Sequence, residues 1–100
     1  MVMDKRMPLM VGNWKMNGSL SANAALVADL LQGMAGVTCR TAVCVPSLYL
    51  SQMQGLLAGS AIDLGAQDVS AHASGAYTGE VSADMLRDFA VRYCLSLIHI

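Results

Sequence analysis

Leu9-Met10-Val11-Gly12-Asn13-Trp14-Lys15-Met16-Asn17-Gly18 decides how the rest of the chain is read. An unbroken apolar triplet suits a strand covered on both faces, as in a parallel sheet flanked by helices, rather than a half-solvated strand, which alternates. Behind it come an amide at Asn13 and an ammonium at Lys15. Two residues apart on an extended backbone, these side chains point to the same face. Gly18 can then turn the chain into the next segment, as expected where a parallel strand hands over to a helix and small anions bind. The stretch therefore reads as a strand, a candidate anion or carbonyl site, and a turn.

Outward from this stretch, apolar runs recur at Leu9–Val11, Thr41–Val45, Ile62–Ala66 and from Tyr93 onward. Their spacing of roughly thirty residues is that of a strand-plus-helix unit. Between the first two, Leu20, Ala24, Val27 and Leu31 fall on one helical face, with Ser19 or Ser21 to cap the start and Gly33 after the end. Pro46-Ser47 opens a second helical stretch lined by Tyr49, Leu50, Met53, Leu56 and Leu57 and closed by Gly59, with Gly55 weakening it. The third strand, Ile62–Gln67, leads instead into a small-residue segment, so Asp68–Thr78 reads as a long loop. Glu80 stands near the start of a third helix with Val81, Met85, Leu86 and Phe89 as its apolar residues, an acidic group at the positive end. The order β-α-β-α-β-loop-α-β argues for a parallel sheet with right-handed crossovers. Composition and periodicity do not separate an open doubly wound sheet from part of a closed barrel.

At 100 residues the chain has room for one modest core. Apolar residues make up 55% even with glycine left out of the count, above the usual 45–50% that includes it. Six basic against seven acidic residues, with five aromatics, leave no electrostatic footprint for nucleic acid. The apolar runs are too short to span a bilayer, and Met1–Arg6 lacks a signal-peptide core. A cytoplasmic protein without a membrane partner is expected. Cys39, Cys44 and Cys94 form no C-x-x-C pair and are odd in number, so reduced thiols are the expectation. A metal site would need four ligands at chelating spacing, and His72 and His99 alone do not complete one.

Gly12–Gly18 resembles the end of the first barrel strand in the triosephosphate isomerase family. Ala42–Leu50 resembles that family's second strand and the turn into its second helix; Gly65-Ala66-Gln67-Asp68 and Gly75–Ser82 resemble its third strand and protruding third loop. Three motifs in order cover residues 7–94. The resemblance implies an α/β fold, the N-terminal part of a (β/α)8 TIM barrel of about four parallel strands with three connecting helices, a barrel whose full length is about 250 residues. It implies the interconversion of dihydroxyacetone phosphate and D-glyceraldehyde 3-phosphate in glycolysis and gluconeogenesis, by a homodimer without metal or organic cofactor. It also implies a glutamate base that moves the proton, a neutral histidine that polarises the carbonyl and a closing loop that excludes water.

Carried residue by residue, the resemblance makes Lys15 the catalytic ammonium beside the substrate phosphate and enediolate oxygen, and Asn13 a substrate-binding donor next to it. Without it, Lys15 would be an ordinary solvated lysine. Trp14 is read as packing, and Gly12 as allowing close approach at the strand end. Met16 is assigned to the dimer contact, Thr78 to the partner subunit's Asn–Lys pair, and Gln67 and Glu80 to the support of that interface. His72 is read as an exposed polar residue of the third loop. On residues alone, that loop would be merely mobile.

The resemblance fails at the C-terminus. The family's fourth strand runs into Gly-His-Ser-Glu-Arg, whereas here Arg92-Tyr93-Cys94 continues into Leu95-Ser96-Leu97-Ile98-His99-Ile100. His99 sits one place beyond the expected position and lacks the flanking residues. These last six residues resemble the translation of a transposase adaptor end, so 95–100 are read as a non-native tail. The expectation is a chain truncated before the catalytic histidine and glutamate, inactive alone and prone to aggregate through open sheet edges. The alternative reading is a non-enzymatic phosphate-binding or assembly fragment that needs a complementary C-terminal half; an unrelated open α/β domain is the third.

Overall fold

A computed structural model describes residues 8–96. Four strands, β1 (Leu9–Asn13), β2 (Arg40–Val45), β3 (Ile62–Ala66) and β4 (Tyr93–Cys94), form one parallel sheet in the spatial order β1-β2-β3-β4. Helices α1 (Leu20–Gln32), α2 (Leu50–Leu57, preceded by a 3-10 turn at Ser47–Tyr49) and α3 (Ala83–Asp88) lie in the three connections. A doubly wound sheet reverses its strand order at some point; this one never does. With crossovers of one hand, unreversed order puts every helix on the same face, the winding of a barrel wall.

The register defines the two faces. Val43 and Val45 of β2 share a face with Ile62, Leu64 and Ala66 of β3, and all five are buried. They pack with Val27 of α1, with Leu50, Met53 and Leu57 of α2, and with Leu86 of α3 in one core. Each Val, Leu, Ile or Met side chain among them contributes on the order of 1.5–3 kcal/mol relative to leaving it in water. The opposite face carries Leu9, Val11 and Asn13, then Arg40, Ala42 and Cys44, then Asp63 and Gly65, then Tyr93. No helix covers it. There Arg40 donates to the Tyr93 hydroxyl across β3, and its guanidinium carbon lies 5.7 Å from that ring's centroid.

On the same face Cys44 and Gly65 stand side by side. A Cβ built on Gly65 would lie 2.4 Å from the Cys44 sulfur, so the thiol occupies the space a side chain on β3 would need. Burial pushes the Cys44 thiol pKa up, with a smaller contribution from Cys94. On β1, by contrast, all five residues are exposed. Met10 points to the helix side and is still 60% exposed, because neither face of this edge strand is covered.

Helix α1 starts and stops where its sequence says. Ser19 accepts from Ala22 N–H at 3.1 Å, and the Gly33 N–H closes the last turn onto Asp29 and Leu30. Its buried face differs from the expected one, however. Asn23 and Val27 are buried, with Leu30 and Leu31 half-buried, whereas Leu20 and Ala24 face solvent. The apolar stripe is rotated because the helix packs beside α2, where a polar pair takes part of the contact.

Helix α3 is shorter than its pattern suggests. Ser82 caps it by accepting from Met85 N–H at 3.2 Å, and its first-turn acid is Asp84. Glu80 therefore precedes the helix and does not occupy its positive end, a correction to the sequence reading. The loop between β3 and α3 is also more ordered than a free tether. Ser70 N–H bonds Val81 O at 2.8 Å at its base, and the His72 and Tyr77 rings stack at 3.9 Å, 2° from parallel.

Candidate functional site

Strand β1 ends at Asn13, and the backbone then changes character: Lys15 adopts φ +55°, the left-handed region a non-glycine residue rarely enters. The extended alternation that would bring Asn13 and Lys15 to one face therefore stops short of Lys15. A local bond joins them instead. The Asn13 Oδ1 accepts from Lys15 N–H at 2.8 Å, and the Asn17 side chain donates to Trp14 O at 2.9 Å, closing a compact turn at the strand's C-terminal end.

Gln67, just past β3, holds this turn from the other side. Its amide nitrogen donates to Lys15 O at 2.8 Å and to Cys44 O at 3.1 Å, while Cys44 O also receives Trp14 N–H at 3.0 Å. Gln67 thus ties the ends of three strands together, and with Asn13 it fixes both polar groups of the Lys15 backbone against its unusual torsion. A left-handed lysine costs on the order of 1–3 kcal/mol and persists only where its surroundings determine it. With its main chain held on both sides, the Lys15 side chain stays exposed.

The remaining sequence candidates sit apart from this cluster. Met16 is 95% exposed. Thr78 and Glu80 lie in the exposed segment 71–80, where Glu80 N–H bonds Tyr77 O. Glu80 also lines a 290 Å³ cavity with Ser47, Asp68, Ser70 and His72, and neither Asn13 nor Lys15 reaches that cavity. Trp14 packs half-buried against the core, as expected. Gly12 is not required for close packing, since a Cβ there would meet Val43 at an ordinary 3.7 Å. His99 and the last residues of the expected tail, 97–100, lie outside the described residues; Leu95 still donates to Ala66 O beside β4.

Sequence reasoning missed the far anchor of the turn. The Tyr49 hydroxyl donates to Gly18 O at 3.0 Å, and the Gln52 amide donates to Leu20 O at 2.7 Å while accepting from Asn23 at 2.9 Å. The available signal was Asn23, an amide one turn before Val27 on the face that has to be apolar. Among the described residues no three His, Cys, Asp or Glu side chains gather as a metal set, and no helix is long and apolar enough to cross a membrane.

Residues 8–96 match the family model described as triosephosphate isomerase. Curated relatives of that name include those of Albidiferax ferrireducens, 59% identical over 90 residues, and Herminiimonas arsenicoxydans, 58% identical over 90; each alignment covers 90% of this chain. The relative from Delftia acidovorans is 61% identical over 88 residues, 87% of the chain. The chain spans about a third of these relatives' length, 36% in each case.

Proposed function

We propose, for a chain that belongs to the triosephosphate isomerase family, that it supplies the cationic part of a site interconverting dihydroxyacetone phosphate and D-glyceraldehyde 3-phosphate. The observation that carries this reading is the doubly held, left-handed Lys15 with its side chain exposed at the C-terminal end of the sheet. That is the rim where barrels of this winding build their sites.

Isomerisation of a triose phosphate passes through an enediolate, so negative charge grows on an oxygen while a phosphate dianion stays bound. An ammonium fixed beforehand stabilises both charges with little reorganisation. Because Asn13 Oδ1 is committed to Lys15 N–H, its NH2 end is the group that donates to the substrate oxygen. In the family a glutamate moves the proton and a histidine polarises the carbonyl. These 100 residues contribute neither at a matching position, and the assembled site draws them from the rest of the barrel. Met16, Thr78 and Glu80 belong in this reading to the contact between two cytoplasmic subunits, and Gln67 to both the contact and the Lys15 turn. Exposure of Met16 and the ordered third loop support that assignment.

A coupled assay tests the proposal on the chain completed by the remaining length of the Albidiferax ferrireducens relative. Turnover of D-glyceraldehyde 3-phosphate is expected, with kcat reduced at least about 10²-fold by Lys15→Met. Binding of the phosphate ester without turnover would favour the phosphate-binding or assembly reading instead.

A further inference from the structure

We infer that Tyr49 and Gln52 of the second connection, with the buried Asn23, form a clamp that fixes the loop carrying Lys15 and so act as positioning residues. The inference rests on the isomerase reading above. Its starting point is the route of residues 14–19, which have no regular structure yet link β1 to α1. Gln67 and Asn13 hold this loop at Lys15. Three residues on, Tyr49 holds it at Gly18 O, and Gln52 holds the first residue of α1, where the loop ends, at Leu20 O.

The clamp is built from one helical turn. Tyr49 and Gln52 are three residues apart and so lie on one face, and both donate to main-chain oxygens about thirty residues earlier in the chain. Gln52 is itself oriented, because its Oε1 accepts from Asn23, which is only 1% exposed. The same side chains wall in Gly18. At its φ of +131° a Cβ would lie 2.7 Å from Asn23 Oδ1 and 3.1 Å from the Tyr49 ring. The turn residue, the tyrosine and the two amides therefore specify one another.

Packing of α1 on α2 does not need this polar set. Val27, Leu30, Leu50 and Met53 already supply apolar contact there, and apolar residues at 23 and 52 would extend it. What the amides and the hydroxyl add is direction: each hydrogen bond ends on the loop's backbone or on the group that aims it. A reacting group misplaced by about 1 Å can cost on the order of 10²-fold in rate.

The test uses the completed enzyme described above. Tyr49→Phe keeps the ring against Gly18 and removes only the donor; Gln52→Met keeps length and volume and removes both bonds. Each is expected to lower kcat/KM roughly tenfold and to weaken dihydroxyacetone phosphate binding severalfold. In a Lys15→Met background the same substitutions are expected to leave that binding unchanged, which a purely structural loss would not do. Unchanged kcat/KM in both variants, or equal losses of binding in both backgrounds, would overturn the clamp. If the parent enzyme binds but does not turn over triose phosphates, the isomerase reading fails. Amide exchange at Lys15 then decides the clamp separately: faster exchange in both variants supports it, and unchanged exchange overturns it.

Discussion

The two faces of the sheet are made by alternate residues of the same strands, and helices cover one of them while the other has only its small central residues Ala42, Cys44 and Gly65 buried. On one, Val43, Val45, Ile62, Leu64 and Ala66 are sealed by three helices; on the other, Leu9 and Val11 stand open beside Arg40, Asp63 and Tyr93. The sealed face is covered over β2 and β3 because each βα unit brings its own cover, whereas Met10 on the edge strand β1 stays exposed. The open face gets nothing from local connections and needs strands from across a barrel. Asn13 and Lys15 fall at the junction, on the rim, where Gln67 ties β1 to β3 over the end of β2.

The largest expected break in this comparison is at Met53, fully buried among both strands and helices. Met53→Ala should destabilise the completed barrel by about 2–5 kcal/mol, read from its urea midpoint. A smaller effect tests the boundary between the faces. Gly65→Ala drives a Cβ into the Cys44 sulfur and should cost about 1–3 kcal/mol. Combining it with Cys44→Ala should recover part of that loss, but not all, because Tyr93 O and Val43 O remain 3.3 and 3.4 Å from the new carbon. No recovery would mean that the backbone, not the thiol, sets the limit.

The smallest energetic change belongs to the open face. Leu9→Ser and Val11→Ser in the 100-residue chain should each cost no more than about 1 kcal/mol, since the two residues are already 39% and 41% exposed. Their effect should appear in light scattering, as weaker self-association of a chain that otherwise aggregates through its uncovered face and edges. A cooperative, monomeric thermal transition of the unsubstituted chain would contradict that picture.

What could be read from sequence was whatever is local or repeated. Ser19 and Gly33 bound α1 because capping depends on a few neighbouring atoms, and Pro46 and Gly59 bracket the second helical segment for similar reasons. The strands were legible as short apolar runs recurring about every thirty residues. Not legible was anything decided by a distant partner. Leu20 and Ala24 follow the helical period but face water, because α2 meets α1 at Asn23 and Val27 instead. Glu80 looked like a helix-start acid until Ser82 took the cap. For Asn13 and Lys15, alternation predicts a shared face, whereas the bond between them runs from the Lys15 main-chain N–H, at a left-handed torsion braced from β3. Tyr49 reads from its period as one more apolar residue of the second helical stretch and Gln52 carries no local signal, because their acceptors lie 31 and 32 residues away.

The central claim is that these residues hold the charge-stabilising part of an isomerase site and not its proton-moving part. A coupled assay of the purified 100-residue chain with D-glyceraldehyde 3-phosphate, at substrate concentrations that saturate the completed enzyme, tests it most directly. The account predicts no turnover above the uncatalysed rate. Turnover by the 100 residues alone, abolished by Lys15→Met, would contradict it.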